Sequence, residues 1–133
     1  MAIGVRLQIF QVVIFPCSPE SETPFTFTQT FPPSVSMDFM WNNLTGTIPK
    51  EIGHITSLRL LLLNGNKLSG SLPDELGNLT NMNRLQLDEN QLSGSVPESL
   101  ANMINVRHLH MNNNSFTGQL PSKLSNLSNL MHL

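Results

Sequence analysis

The feature that most constrains this chain is a repeat of 24 residues. Asparagine recurs at this spacing at four positions: Asn42, Asn66, Asn90 and Asn114. An apolar residue, then a glycine, then a proline follow each asparagine at fixed distances. A short unit of this kind cannot bury its apolar side alone, so stacked copies must build the core together. The period therefore predicts a solenoid.

The residue pattern within each repeat predicts a β-strand followed by a short 3₁₀ helix. Before the asparagine, apolar residues such as Leu61 and Leu63 alternate as they do on a β-strand. After it, Pro73, Leu76 and Leu79 lie three residues apart, which is the spacing of a 3₁₀ helix. We therefore expect an α/β-type solenoid with a parallel sheet on its concave side and short 3₁₀ segments on its convex side.

The four asparagines are expected to form a structural ladder. They stand where each repeat leaves the sheet, so nearby backbone groups lack partners in the strand ladder. A buried amide supplies two donors and one acceptor to those groups. This predicts a structural role for Asn42, Asn66, Asn90 and Asn114.

Three segments carry a family resemblance. Residues 66–73 (NKLSGSLP) and 90–97 (NQLSGSVP) resemble N-x-L-S-G-x-I-P, the motif of the plant-specific leucine-rich repeats. Residues 39–46 (FMWNNLTG) are similar to a repeat of plant leucine-rich-repeat receptor-like kinases. The resemblance implies a right-handed superhelix, a second short strand after the glycine, and an extracellular or plasma-membrane-surface location.

The repeat defines the domain boundaries. Repeats are predicted at 34–57, 58–81, 82–105 and 106–129, with a fifth beginning at 130, so the repeat domain covers 34–133. Residues 1–33 do not fit the period and are interpreted as a leader and linker. Arg6 precedes a short apolar run there, but no small-residue cleavage site follows, so a degenerate signal segment and an unrelated leader both stay open.

Composition and motifs exclude several classes of function. Charged residues make up 12% of the chain and the net charge is −2, which argues against nucleic-acid binding. Cys17 is the only cysteine, which excludes an internal disulfide and a zinc site built from cysteines. No stretch reaches the ~20 apolar residues that are needed to span a membrane. Neither kinase motifs nor a catalytic constellation occur, although kinases of the resembled family carry a Ser/Thr kinase domain. We therefore predict no enzyme activity, no cofactor and no membrane insertion by this chain.

The variable strand positions form the predicted binding face. Stacking aligns equivalent positions of successive repeats into columns, and these side chains differ from copy to copy. The predicted ligand-binding residues are Trp41, Leu60, Leu62, Arg84, Gln86, Asp88, His108 and His110. Trp41 and Arg84 lead because Trp and Arg are frequent in interface hot spots; the alternative is that they are ordinary surface residues.

Histidines cluster at His108, His110 and His132, but no acidic residue or cysteine in the same strands completes a zinc site. A polar binding patch is the preferred interpretation, and no metal is predicted. Asn43, Asn78 and Asn126 begin N-x-S/T sequons and are candidate glycosylation sites. Asn113 also begins one but lies on the proposed binding face, and an Asn-rich repeat also produces such triplets by accident.

The predicted function is recognition of a peptide, a glycan or another protein ectodomain. The resemblance implies a truncated extracellular part of a plant receptor-like kinase or receptor-like protein in cell-surface signalling. The alternatives are a free-standing leucine-rich-repeat scaffold and a non-functional partial gene product. Fold does not imply function, so the ligand cannot be read from the repeat itself.

Overall fold

The computed structural model describes residues 34–133, and the predictions for residues 1–33 lie outside this part. Three kinds of element alternate along it: a first strand, a second strand and a 3₁₀ helix. They are β1 (Val35–Asp38), β2 (Thr45–Gly46), η1 (Lys50–His54), β3 (Leu58–Leu62), β4 (Lys67–Gly70), η2 (Asp74–Asn78), β5 (Arg84–Gln86), β6 (Gln91–Gly94), η3 (Glu98–Asn102), β7 (His108–His110), β8 (Ser115–Phe116) and η4 (Ser122–Asn126).

The first strands form one parallel sheet in the order β1-β3-β5-β7. Leu61 pairs with Leu85, and Leu85 pairs with Leu109, so equivalent residues of successive repeats are neighbours. The register shifts once, between Val35 and Ser36. This sheet confirms the predicted parallel sheet of the concave side.

The second strands form another parallel sheet, in the order β2-β4-β6-β8. The expectation of a strand after the glycine is wrong in position, because β4 and β6 end at Gly70 and Gly94. The φ of Gly70 is 76°, outside the extended region, so the strand cannot continue through it. The strand ends with Gly70, which pairs with Leu92, and the other paired residues lie before it, including Leu68, whose side chain is buried.

The convex side consists of 3₁₀ helices of five residues each. Each follows a proline; Pro73, for example, has φ −72° and ψ 141° and precedes η2. The helix ends when the Leu79 N–H donates to the Leu76 carbonyl at 3.1 Å. Leu76 and Leu79 are fully buried, which explains their three-residue spacing in the sequence.

The core runs as a continuous stack through the repeats. Each repeat adds apolar side chains from its first strand and its 3₁₀ helix, such as Leu85 and Leu100, both fully buried. Burying one leucine stabilises a fold by ~1.5–3 kcal/mol relative to leaving it exposed. Every repeat therefore depends on its neighbour for stability.

Neighbouring 3₁₀ helices approach at glycine. A Cβ added at Gly77 in η2 would overlap the carbonyl oxygen of Ser99 in η3, and one at Gly53 would overlap the carbonyl oxygen of Glu75. Because the obstruction is backbone, it cannot be relieved by rotating a side chain. The close stacking of η1, η2 and η3 thus requires glycine at these two positions.

Three of the four ladder asparagines join neighbouring repeats. Asn90 accepts a hydrogen bond from the Leu68 N–H at 3.0 Å and donates to the carbonyls of Leu63 and Leu87 at 3.0 and 3.1 Å. Asn66 and Asn114 make the equivalent bonds. Asn42 departs from the expected burial: it is exposed and donates only within its own turn, to the carbonyls of Phe39 and Met40.

Candidate functional site

The concave sheet aligns the predicted binding residues in columns. One column pairs Leu60 with Arg84 and Arg84 with His108, and a single bridge extends it to His132. The neighbouring column consists of Asp38, Leu62, Gln86 and His110. Arg84, Gln86, His108 and His110 are all partly exposed, so their side chains are accessible to a partner. These four residues define what we call the concave patch.

Leu62 differs from the other candidate contacts because it is only 8% exposed. Leucine at this position is buried, whereas Gln86 and His110 in the same column stay partly exposed. The expected apolar contact at Leu62 therefore offers little surface to a partner, and its side chain contributes mainly to packing. Leu60 keeps partial exposure and remains a candidate.

Trp41 projects from a backbone corner that recurs in every repeat. Trp41, Gly65, Glu89 and Asn113 are the equivalent residues, and all four have φ between 52° and 69°. This left-handed conformation is unusual for residues other than glycine. The six-membered part of the Trp41 indole occupies the space that a Cβ at Gly65 would need. Glycine at 65 thus leaves room for the Trp41 indole, and Trp41 as a whole is 64% exposed.

Several polar atoms beside the concave patch are buried without a partner. Asn64 Oδ1, Asp88 Oδ1 and His110 Nε2 make no hydrogen bond to any other residue in the part of the chain described. An unsatisfied buried polar group costs ~1–3 kcal/mol. These three atoms lie in or beside the columns that differ between repeats, whereas two others of the same kind, Ser57 Oγ and Ser99 Oγ, lie outside those columns.

The histidines form a compact cluster at one end of the concave patch. The rings of His108 and His132 stack with centroids 5.2 Å apart and an interplanar angle of 15°, and His110 lies 6.2 Å from His108. Within residues 34–133, no three His, Cys, Asp or Glu side chains are arranged to hold a metal ion. Burial lowers the pKa of His108 below its ordinary value of 6.5, and the positive charge of Arg84 lowers it further.

The lowered pKa of His108 predicts how the stability of the fold changes with pH. The folded chain binds this proton less readily than the unfolded chain, so the contribution of His108 to stability falls as pH drops from 6.5 through the lowered pKa. An NMR titration of the His108 ring is expected to give a midpoint below 6.5. In Arg84→Gln the midpoint should rise, because one positive neighbour is removed. A midpoint above 6.5 in the unmodified chain would contradict this account.

A second asparagine ladder was not predicted from the sequence. Asn81, Asn105 and Asn129 donate their side-chain N–H groups to the carbonyls of Thr56, Thr80 and Ile104 at 3.0, 2.8 and 2.9 Å. The signal was present in the sequence, because these residues also recur every 24 positions. They tie the turn before each concave strand to the preceding repeat. They also line a groove of about 440 Å³ together with Arg59, Asn83 and Arg107.

The candidate glycosylation sites all lie at exposed positions. Asn43 lies between β1 and β2, while Asn78 and Asn126 are the last residues of η2 and η4 on the convex side. Asn113 is exposed at the left-handed corner beside the sheet. Glycosylation of Asn43, Asn78 and Asn126 remains a prediction.

The leucine-rich-repeat family model matches three successive stretches: 57–79, 81–103 and 105–127. The chain belongs to the leucine-rich-repeat family. No curated protein matches its sequence significantly. None of the helices in residues 34–133 has the length and apolar character needed to cross a membrane.

Solved structures of plant receptor ectodomains are similar to this repeat domain. The GASSHO1/SCHENGEN3 ectodomain of Arabidopsis thaliana, in complex with CASPARIAN STRIP INTEGRITY FACTOR 2, is 37% identical over 71% of this chain, with a TM-score of 0.71. PEPR1–AtPEP1 is 37% identical over 74%, with a TM-score of 0.72. The BIR3–SERK2 complex of Arabidopsis thaliana is 31% identical over 80%, also with a TM-score of 0.72.

The similarity covers only part of those proteins. The chain spans 11% of the matched chain in the GASSHO1/SCHENGEN3 structure, 14% of the matched chain in the PEPR1–AtPEP1 structure and 57% of the matched chain in the BIR3–SERK2 structure. The matched regions are leucine-rich-repeat ectodomains, which are non-catalytic binding modules. Residues 34–133 are therefore a non-catalytic repeat module of the kind found in plant receptor ectodomains.

Proposed function

We propose that this chain is a recognition module that binds a peptide or protein partner on its concave sheet. The observation that carries the proposal is the contrast between fixed and variable positions. Leucines, ladder asparagines and prolines repeat from copy to copy and are used by the fold. The concave positions change from Leu60 to Arg84 to His108 along one column of paired strands. Only positions that vary in this way can encode a particular partner.

The concave sheet also reduces the entropic cost of binding. Its side chains project from strands ~4.8 Å apart whose backbones are already hydrogen-bonded to each other. Little backbone order must be created when a ligand binds, so more of the contact energy is retained as affinity. Arg84 supplies a planar, charged donor group, and the neighbouring histidines supply aromatic faces and ring nitrogens.

The similar solved structures support this class of partner. GASSHO1/SCHENGEN3 was solved with CASPARIAN STRIP INTEGRITY FACTOR 2, PEPR1 with AtPEP1, and BIR3 with SERK2. By this similarity we infer an extracellular, cell-surface setting, as part of a plant receptor-like kinase or receptor-like protein. In that setting the exposed Asn78 and Asn126 on the convex side would carry glycans without covering the concave patch.

The proposal is tested by removing two side chains of the concave patch. The probe is a peptide recovered from a random displayed library selected on the full chain. We expect Arg84→Ala with His110→Ala to weaken its binding more than about tenfold, or ~1.4 kcal/mol, in biolayer interferometry. Because both residues are partly exposed, the melting temperature should be nearly unchanged.

The control removes two charges from the convex side, by Lys50→Ala with Lys123→Ala. Lys123 pairs with Glu98 at 3.1 Å, but both side chains are more than half exposed, so little stability is lost with the pair. Equal loss of peptide binding from both double variants, or loss only from the convex one, would place recognition on another surface.

A further inference from the structure

A polar groove lies where the concave strands begin, beside the concave patch. Arg59, Asn83 and Arg107 come from three successive repeats and occupy equivalent positions. The Asn83 N–H donates to the Arg59 carbonyl and the Arg107 N–H donates to the Asn83 carbonyl, each at 2.8 Å. The backbone under the groove is therefore fixed by the sheet, and three long or polar side chains rise from it in a row.

The groove concentrates positive charge without a compensating acid. Its lining consists of two arginines and four asparagines, and no carboxylate lines it among residues 34–133. Neither guanidinium makes an ion pair or a side-chain hydrogen bond to any residue of that range. By contrast, Lys123 on the convex side has a glutamate partner. Two unpaired guanidinium groups facing one groove repel each other unless an anion lies between them.

The neighbouring asparagines supply further donors. Asn81, Asn105 and Asn129 each use one amide N–H for the ladder bond to the preceding repeat. An amide nitrogen carries two hydrogens, so a second donor stays on each side chain. The ladder bonds hold these amides in place, which orders the donors before any ligand arrives.

We propose that this groove is a binding site for an oxyanion, held between Arg59 and Arg107 with Asn83 beneath it. Arginine presents a planar fork of N–H donors that matches the oxygens of carboxylate, sulfate and phosphate groups. Strands one repeat apart are ~4.8 Å apart, so the two arginines start ~10 Å from each other and their side chains can reach one shared group. With only two arginines in the groove, the site suits a single anionic group rather than a nucleic-acid backbone.

The electrostatics of the adjacent histidine agree with this assignment. Burial and the charge of Arg84 are the two largest causes of the lowered pKa of His108, and the charges of His132, His110 and Arg107 lower it further. The positive charge of Arg107 thus acts at the edge of the concave patch. A partner with an anionic group could place that group in the groove while its remaining part contacts the patch.

The test uses free ions, so its result does not depend on any peptide or protein partner. The full chain, labelled with ¹⁵N, is titrated with sodium sulfate, sodium phosphate or sodium acetate at constant ionic strength maintained with sodium chloride. Saturable shifts are expected at the amides of Asn83 and Arg107. Arg59→Gln and Arg107→Gln should each weaken anion binding about tenfold, because each removes a charge-assisted pair of donors.

The matched control is Lys67→Gln, which removes one positive charge from β4 in the other sheet and should change anion affinity less than about twofold. Preference for sulfate and phosphate would identify a tetrahedral group as the natural occupant, and preference for acetate would identify a carboxylate. Linear, unsaturated shifts with all three ions would overturn the site. Equal weakening by Lys67→Gln would overturn it too, since net charge rather than the groove would then govern binding.

Discussion

Replacing Asn90 with alanine is expected to lower the free energy of unfolding by ~1–3 kcal/mol. The substitution removes the acceptor for the Leu68 N–H and the donor to the carbonyls of Leu63 and Leu87. Two of these three partners belong to the preceding repeat, so the loss weakens the contact between repeats as well as the turn of the third repeat. A module of this length has few such contacts to lose.

The control for this experiment is Asn42→Ala. Asn42 has the same place in its repeat, but it is exposed and bonds only to carbonyls of its own turn. Its removal should cost well under half of the Asn90 effect. Urea unfolding followed by circular dichroism measures both variants. Similar losses for the two substitutions would show that stability does not come from the bonds between repeats.

The backbone arrangement was largely predictable because the period fixes it. Once 24 residues separate equivalent positions, parallel pairing places Leu61 beside Leu85 and Arg84 beside His108 without any further information. The three-residue spacing after each proline likewise identified the 3₁₀ helices. The second strands were misplaced because a glycine can either begin or end a strand, and only the φ of Gly70 distinguishes the two.

The surroundings of individual side chains were less predictable. The burial of Leu62 and the packing of the Trp41 ring against Gly65 depend on which residues occupy the neighbouring repeats. These positions are equivalent in the repeat motif, but the residues that surround them in the structure differ from repeat to repeat. The groove was missed for a related reason: Arg59 and Arg107 are two repeats apart and only Asn83 separates them in space.

Two asparagine ladders border the concave sheet. Asn66, Asn90 and Asn114 bind the backbone where the first strands end, and Asn81, Asn105 and Asn129 bind it before they begin. Both ladders satisfy backbone groups with side chains outside the variable columns. The fold can therefore accept different residues on its concave face without losing the bonds that hold successive repeats in register.

The convex side has a different requirement, which is close approach of one 3₁₀ helix to the next. At Gly77 in η2 the added Cβ of alanine would overlap the backbone and Cβ of Ser99 in η3. The φ of Gly77 is not positive, so the glycine is needed for space rather than for an unusual conformation. Accommodating even one methyl group must separate the two helices, and the buried Leu76 and Leu100 beside them would lose contact with their neighbours.

We therefore expect Gly77→Ala to destabilise the fold by ~1–3 kcal/mol, the usual cost of overpacking a tight contact. For a module of about this size, each kcal/mol corresponds to several degrees in melting temperature. The control is Asn78→Ala in the same helix, whose exposed side chain makes it a surface change worth less than ~0.5 kcal/mol. Differential scanning calorimetry of both variants measures the difference. If Gly77→Ala has the same melting temperature as the unmodified chain, the 3₁₀ helices have room to separate and the convex side is not closely packed.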